Sequence, residues 1–102
     1  MKNLYIDFDG VIMDTINKTY QMMEEENIDK KDNEAVSKFY KCIDWKQLLS
    51  ETDEINGAIE KVKKLNDSQK FNVAILTHVN SLEEAIEKVK FIRKFYDDIT
   101  VI

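Results

Sequence analysis

The sequence lacks several features by which particular classes of protein are recognised. None of its 102 residues is proline, and Cys42 is the single cysteine, so no disulfide can form within the chain. A reducing cytoplasm is therefore the expected location. No apolar run approaches the roughly 20 residues that a membrane-spanning helix needs, and the residues after Met1 do not resemble a signal peptide. These absences favour a cytoplasmic protein.

Positive charge is also scarce, with 15 Lys and Arg against 20 Asp and Glu and a net charge of -5. Binding of a nucleic-acid polymer requires clustered basic residues and is therefore disfavoured. A small anionic substrate remains compatible with this charge, because a bound metal ion can supply positive charge locally. The 43% hydrophobic and 34% charged fractions are typical of an ordinary globular chain, and the length suits one modest domain.

The spacing of the apolar residues predicts an α/β fold. Three short apolar runs predict strands, at residues 4–9, 71–76 and 99–102. Helical spacing predicts a helix at 16–23, a second at 35–43, a short third at 45–49, and a fourth that ends near Leu65. We expect Thr52 or Asp53 to cap the fourth helix, with Asn56-Gly57 inside it. Strands that alternate with helices predict a parallel sheet with right-handed crossovers.

The helix after the second predicted strand has the clearest pattern. Ser81 and Glu84 have the spacing of a capping box, in which each side chain satisfies a backbone N–H at the helix start. We expect the core-facing residues of this segment to be its apolar ones, namely Leu82, Ala85, Ile86, Val89, Ile92, Phe95 and Tyr96.

Two acidic residues mark the carboxyl end of the first strand, and Thr77 and His78 follow the second. The carboxyl ends of parallel strands share one edge of the sheet, so these residues are expected to meet there. An aspartate at that edge, Asp7, can attack phosphorus and form an aspartyl-phosphate. Asp9 lies two residues further on, points to the same side, and can protonate the leaving oxygen.

Other residues at this edge suit a phosphoryl group. Gly10 has no side chain where the backbone must turn close to the phosphate. The Thr77 hydroxyl and the free N–H groups of the next helix can donate to phosphoryl oxygens. A divalent cation is required for Asp7 to approach a phosphate of like charge.

These residues resemble the first two motifs of the haloacid dehalogenase-like hydrolases. The first motif is Asp7-Phe8-Asp9-Gly10-Val11 with Asp14-Thr15, and the second is Ile75-Leu76-Thr77. The resemblance implies a Rossmann-like, three-layer parallel sheet with a small helical cap. On this reading, residues 1–15 and 51–102 form the core and 16–50 form the cap insertion. Glu87-Lys88, followed by Phe91 and Phe95, is similar to the nucleotidase-like branch of that family.

The resemblance also implies roles for individual residues. Asp7 is the expected nucleophile and Asp9 the acid/base, and both are expected to hold Mg²⁺, Asp7 through its side chain and Asp9 through its carbonyl oxygen. The predicted phosphate-binding residues are Gly10, Thr77, His78 and Lys88. For His78 a structural place at the rim is the alternative, and for Lys88 a solvated place on its helix.

The expected function is magnesium-dependent hydrolysis of a small phosphomonoester, with nucleotides as one substrate class. The two later motifs of the family, a lysine and an acidic pair at a strand end, are not recognised, so we expect a truncated sheet and little turnover. The alternative is a non-catalytic fragment or interaction module with the same fold. The strand edge at Ile99–Ile102 is expected to promote self-association. Phe39, Tyr40 and Trp45 are expected to pack the cap, with a place in the substrate pocket as the alternative.

Overall fold

The strands and helices follow one another along the chain in the order that the sequence predicts. The computed structural model describes residues 2–102. Its strands are β1 (Lys2–Asp7), β2 (Phe71–Leu76) and β3 (Thr100–Val101). Its helices over the same residues are α1 (Thr15–Glu25), α2 (Asn33–Cys42), α3 (Trp45–Glu51), α4 (Ala58–Asp67) and α5 (Leu82–Arg93). Within 2–102, none of these helices has both the length and the apolar character needed to cross a membrane. The mixed α/β class is confirmed.

The three strands form one parallel sheet in the order β1-β2-β3. β1 pairs with β2 along its whole length, ending with Asp7 opposite Leu76. β3 pairs with β2 at two positions, and the contact continues where the Thr77 N–H donates to the Ile102 carbonyl at 3.0 Å. The parallel sheet is thus confirmed, and the carboxyl ends of β1 and β2 lie side by side.

The two faces of the sheet differ because side chains alternate along each strand. One face packs against the core through its apolar side chains, those of Leu4, Ile6, Phe71, Val73, Ile75 and Val101. The other face carries an Asn3–Asn72 hydrogen bond of 3.2 Å and the Tyr5 ring, which is 55% exposed. Helical packing therefore covers mainly one side of the sheet.

Three helices start at a side-chain cap, which fixes the position of the residues that follow. Asp32 accepts the Ala35 N–H, Asp44 accepts the Gln47 N–H, and Ser81 accepts the Glu84 N–H. Such caps satisfy one of the free N–H groups of the first turn. The Asp44 cap places Trp45 at the first position of α3, and the Ser81 cap places Glu84 in the first turn of α5.

The expected start of α4 is wrong. The helix begins at Ala58 and not near Thr52 or Asp53, because Asn56 and Gly57 both have positive φ angles, 52° and 66°. Consecutive left-handed residues cannot belong to a right-handed helix. Asn56-Gly57 is therefore a turn before α4.

The expected core face of α5 is also largely wrong. Leu82 is 77% exposed, and Ile86, Val89 and Phe95 are exposed as well. The residues that α5 buries include Glu84 and Lys88, together with Ile92. The helix is rotated so that Glu84 and Lys88, which form an ion pair, face the interior.

The buried core joins residues from the predicted core and from the predicted cap. Phe8, Ile75 and Ile92 belong to the same cluster as Met23 and Leu48. The domain boundaries inferred from the sequence stay a prediction.

Tyr96, which follows α5, ties that helix to α4. Its hydroxyl donates to the Ile59 carbonyl at 2.6 Å. Burial, with smaller effects of the nearby carboxylates of Glu54 and Glu60, raises the pKa of Tyr96 to about 12.

Candidate functional site

The Asp9 carboxylate is the centre of the candidate site. Its Oδ1 accepts a hydrogen bond from the Thr15 hydroxyl at 2.7 Å. Its Oδ2 accepts one from the Thr77 hydroxyl at 2.8 Å and one from Lys88 Nζ at 3.1 Å. The loop after β1, the end of β2 and the middle of α5 therefore meet at one carboxylate. The prediction that Asp9 and Thr77 lie close together is confirmed.

Lys88 is a buried cation, with 1% of its surface exposed. Besides Asp9, its Nζ lies 2.6 Å from Glu84 Oε2, 3.1 Å from Thr77 Oγ1 and 3.3 Å from the His78 carbonyl. The ring centroid of Trp45 lies 4.9 Å from the same nitrogen, a distance suited to a cation–π contact. A buried charge is tolerated only when it is paired and hydrogen-bonded, and this one is. The alternative of a solvated Lys88 is excluded.

Glu84 holds Lys88 in place from the preceding turn of α5. It is as buried as Lys88, at 1%, and its Oε1 accepts the Asn80 N–H at 2.8 Å. Its own N–H donates to Ser81 Oγ, so half of the predicted capping box is present, with Asn80 in place of Ser81 as the second donor. The helix start thus orients Glu84, which in turn orients the lysine.

Asp7 differs from Asp9 in being exposed and unpaired. It is the last residue of β1, and it takes part in no ion pair among residues 2–102. It lies on an open depression of about 500 Å³ that we call the rim cavity, lined by Asp7, Asp9, Leu76, Thr77, His78 and Ile102. Asp7 and Thr77 therefore share one rim, as predicted, and the Asp7 carboxylate has no ion-pair partner among the residues that the structure describes.

A second, smaller cavity also borders Asp9. This inner cavity of about 170 Å³ is lined by Asp9, Thr15, Ile16, Thr19, Tyr40, Trp45, His78, Asn80, Glu84 and Lys88. Its lining combines residues of the predicted cap with residues of the predicted core. Asp9 and His78 belong to both cavities.

Trp45, one of the residues that line the inner cavity, carries an unusual polar atom. The residue is 3% exposed, and its indole Nε1 is the buried side-chain donor that has no partner among residues 2–102. A buried donor without an acceptor typically costs about 1–3 kcal/mol. Such an atom in a native fold calls for an explanation.

Two of the predicted phosphate-binding residues, Gly10 and His78, have other roles in the structure. Gly10 has a φ of +80°, and a Cβ there would lie 2.8 Å from Ile16 Cδ1, so the turn needs glycine. Its N–H donates to the Met13 carbonyl at 2.8 Å, and the residue lines neither cavity. His78 is exposed and lines both cavities, and its carbonyl accepts a hydrogen bond from Lys88 Nζ.

Within residues 2–102, no group of three or more His, Cys, Asp and Glu side chains is arranged to hold a metal ion. Mg²⁺ commonly binds through one or two carboxylates, with water and substrate phosphate as the other ligands. The free carboxylate of Asp7 fits this requirement. The Asp9 carboxylate already accepts three hydrogen bonds, so a backbone oxygen of Asp9 suits the role better than its side chain.

An apolar groove of about 510 Å³ lies elsewhere, beside Met22, Phe39 and Ile43. It contains none of the predicted site residues. Its size therefore has no bearing on the chemistry at Asp9.

Thr15 and Glu84 were not assigned to the site from the sequence, and for Trp45 a place in the substrate pocket was only the alternative to packing in the cap. Thr15 lies within the first motif, and Glu84 precedes Lys88 by four residues, so that both face one side of the helix. These two signals were available. Nothing in the sequence distinguishes Trp45 from an ordinary core tryptophan.

No protein-family model matches the chain, and neither the curated proteins nor the solved structures contain a significant match. The function of the site therefore has to be inferred from its own geometry and chemistry.

Proposed function

We propose that this chain carries the catalytic aspartates of a magnesium-dependent phosphohydrolase of the haloacid dehalogenase-like type. The observation that supports this best is the convergence of Thr77 and Lys88 on Asp9, next to the free carboxylate of Asp7 at the carboxyl edge of a parallel sheet. Ligands of open parallel sheets bind at that edge. The Rossmann-like core and the helical cap of residues 16–50 are part of the same proposal.

The reaction has two steps. Asp7 attacks the phosphorus, the bond from phosphorus to the ester oxygen breaks, and Asp9 gives its proton to the departing alcohol. Water then attacks the aspartyl-phosphate and gives a proton to Asp9, which releases inorganic phosphate and restores Asp7. Asp9 thus acts first as an acid and then as a base.

The groups that donate hydrogen bonds to Asp9 lie close enough to the rim cavity to donate to a substrate phosphate instead. Both Asp9 oxygens accept hydrogen bonds, so at least one donor must turn away before Asp9 can carry a proton. Thr77 lines the rim cavity and Lys88 Nζ lies 3.1 Å from its hydroxyl. Phosphoryl oxygens in the rim cavity would take these donors, and the transferred group would gain preorganised stabilisation.

The charge of the site explains the need for a cation. Lys88 offsets only one of the carboxylates of Asp9 and Glu84, and Asp7 adds a further negative charge. A phosphate would meet net repulsion in this site. Magnesium held by Asp7 and the Asp9 carbonyl would, when bound, offset that charge and polarise the phosphoryl oxygens.

One observation favours the alternative of a non-catalytic module. Lys88, Asp9 and Glu84 already satisfy one another, and a buried ion network of this kind can serve structure alone. The two functions differ in whether Asp7 reacts, and a direct test is available.

The test uses beryllium fluoride, which mimics a phosphoryl group on an aspartate and requires no turnover. We expect the wild-type chain with Mg²⁺ to give a bound signal in fluorine NMR, and the signal to disappear without Mg²⁺. Asp7→Asn should abolish it. Asp67→Asn should keep it, because Asp67 lies in α4 next to the opposite end of β2. A wild-type chain without a bound signal would favour the non-catalytic module.

A further inference from the structure

The outer face of α5 carries apolar residues that the sequence assigns to the core. Leu82, Ile86 and Val89 are spaced at i, i+4 and i+7, so they form one row along the helix. Their exposed fractions are 77%, 43% and 38%, because Glu84 and Lys88 occupy the interior side instead. We call this row the α5 stripe. A contiguous row of exposed apolar side chains is typical of an interaction surface.

The charged residues beside the α5 stripe are divided between its two ends. Glu83 lies at the start of the helix, whereas Lys90 and Lys94 lie near its end, and all three are exposed. At 3.6 residues per turn they point within about 40° of one another, so they share one side of the stripe. Arg93, also exposed, continues the stripe itself at the basic end. The surface is therefore acidic at one end and basic at the other.

We propose that the α5 stripe binds a second copy of this chain, with the two α5 helices antiparallel about a two-fold axis. A surface that is acidic at one end and basic at the other is complementary to itself only in this orientation. Glu83 then lies beside the partner's Lys90 and the partner's Lys94, and the symmetry repeats this contact. In a parallel pair, glutamates would face glutamates and lysines would face lysines, which is repulsive.

The register of this pair follows from centring the stripe on its own copy. Ile86 then lies opposite the partner's Val89. Because the helix rises about 1.5 Å per residue, Glu83 is offset along the axis from the partner's Lys90 and from the partner's Lys94 by only about 3 Å each. The apolar row and the charges beside it are therefore matched in the same register.

The contact is small and leaves the candidate site open. Leu82, the most exposed residue of the stripe, lies opposite the partner's Arg93 in this register, and the aliphatic stem of the arginine can cover it. Each chain contributes one helix, so we expect an interface below the standard ~800 Å² per partner and an equilibrium between monomer and dimer. Glu84 and Lys88 face the interior, so the inference does not depend on the proposed function.

Sedimentation equilibrium over a range of concentrations tests the contact. We expect the wild-type chain to show a monomer–dimer equilibrium, and Ile86→Lys to raise the Kd of the dimer about 10-fold or more, because it places two charges in the apolar row. The matched control is Tyr20→Lys, which adds the same charge at an aromatic residue of α1 that is 45% exposed. Its Kd should equal that of the wild type. Circular dichroism checks that both variants fold.

The antiparallel orientation has a test of its own. Glu83→Lys should weaken the dimer severalfold, because the new lysine meets the partner's Lys90 and the partner's Lys94. A parallel pair would show no such loss, since like charges would face each other before and after the change. Adding Lys90→Glu and Lys94→Glu to the Glu83→Lys chain exchanges the acidic and basic ends, and should recover most of the lost affinity.

The proposal would be overturned in any of three ways. A wild-type chain that remains monomeric at every concentration has no such contact. A dimer that Ile86→Lys leaves intact uses another surface, and its loss in Thr100→Lys would assign it to the edge of β3. A folded triple variant that binds as weakly as Glu83→Lys would exclude the antiparallel orientation. The beryllium fluoride signal should be the same in monomer and dimer, so the proposed function and the α5 contact fail independently.

Discussion

Lys88 is the residue on which the candidate site depends most. It brings one positive charge into the interior and shares it among Asp9, Glu84 and Thr77. Asp9 is 79 positions away in sequence, and Glu84 lies one helical turn away. Lys88 therefore joins α5 to the loop after β1, so its contribution to stability and its proposed role in phosphate binding are linked.

We expect Lys88→Met to lower the free energy of unfolding by about 3–5 kcal/mol, because Glu84 would then be a buried charge without a partner. Urea denaturation followed by circular dichroism measures this loss. The matched control is Lys90→Met, two residues further along α5, since the Lys90 side chain is 68% exposed.

The double variant Glu84→Gln with Lys88→Met removes both charges of the pair. It should recover part of the loss, as contacting residues are rarely additive. Equal stability of Lys88→Met and Lys90→Met would contradict the structure at this position.

Among the secondary-structure elements, α4 offers the sharpest contrast between sequence and structure. If Gly57 lay inside a helix, Gly57→Ala would raise stability by about 1 kcal/mol. In the left-handed conformation that the structure shows, the same change should lower stability by about 1–2 kcal/mol. A Cβ at this position would have no neighbour within 4 Å, so the backbone alone determines the sign.

Thermal or urea unfolding of Gly57→Ala shows whether the substitution raises or lowers stability. Gly57→Asn is the control, because asparagine adopts the left-handed conformation at lower cost. A more stable alanine variant would show that the helix extends through this turn.

The sequence predicts the positions of residues that follow from strand order, and it does not predict the burial of residues whose partners are distant in sequence. Asp9 and Thr77 could be placed together because parallel strands share a carboxyl edge. The burial of Glu84 could not, because its spacing from Lys88 indicates an ion pair on one side of the helix, whereas hydrophobic periodicity assigns Leu82 and Ile86 to the core. That partner, Lys88, is also paired with Asp9, which lies 79 positions away and is not visible in the pattern of the helix.

At the scale of the whole molecule, the sheet has two edges and one sparsely covered face. The chain is elongated, 46 × 25 × 22 Å, with a radius of gyration of 14.8 Å against about 13 Å for a compact domain of this length. β3 pairs on one side only, so its other side presents unpaired backbone groups within residues 2–102. An edge of this kind can pair with a second chain.

We expect the wild-type chain to self-associate as its concentration rises, and Thr100→Lys to reduce this because a charged residue on an edge strand opposes pairing. Light scattering over a range of concentrations measures the effect. Ser50→Lys adds the same charge on α3, away from the sheet, and should behave as the wild type does. A wild-type chain that stays monomeric at every concentration would count against an interacting edge.

The pairing of β1 with β2 has a consequence for the order of folding. Asn3 and Asn72 are 69 positions apart, whereas Ala74 and Thr100 are 26 apart, as their numbers show. Closing the longer loop costs more chain entropy, and contacts between distant segments form slowly. We therefore expect β2, α5 and β3 to assemble first and β1 to dock last, so that pulse-labelled amides of Val73 are protected before those of Leu4. Asp7 and Asp9 arrive with β1, so a partly folded chain would hold Lys88 and Glu84 together before the proposed nucleophile, Asp7, is in place.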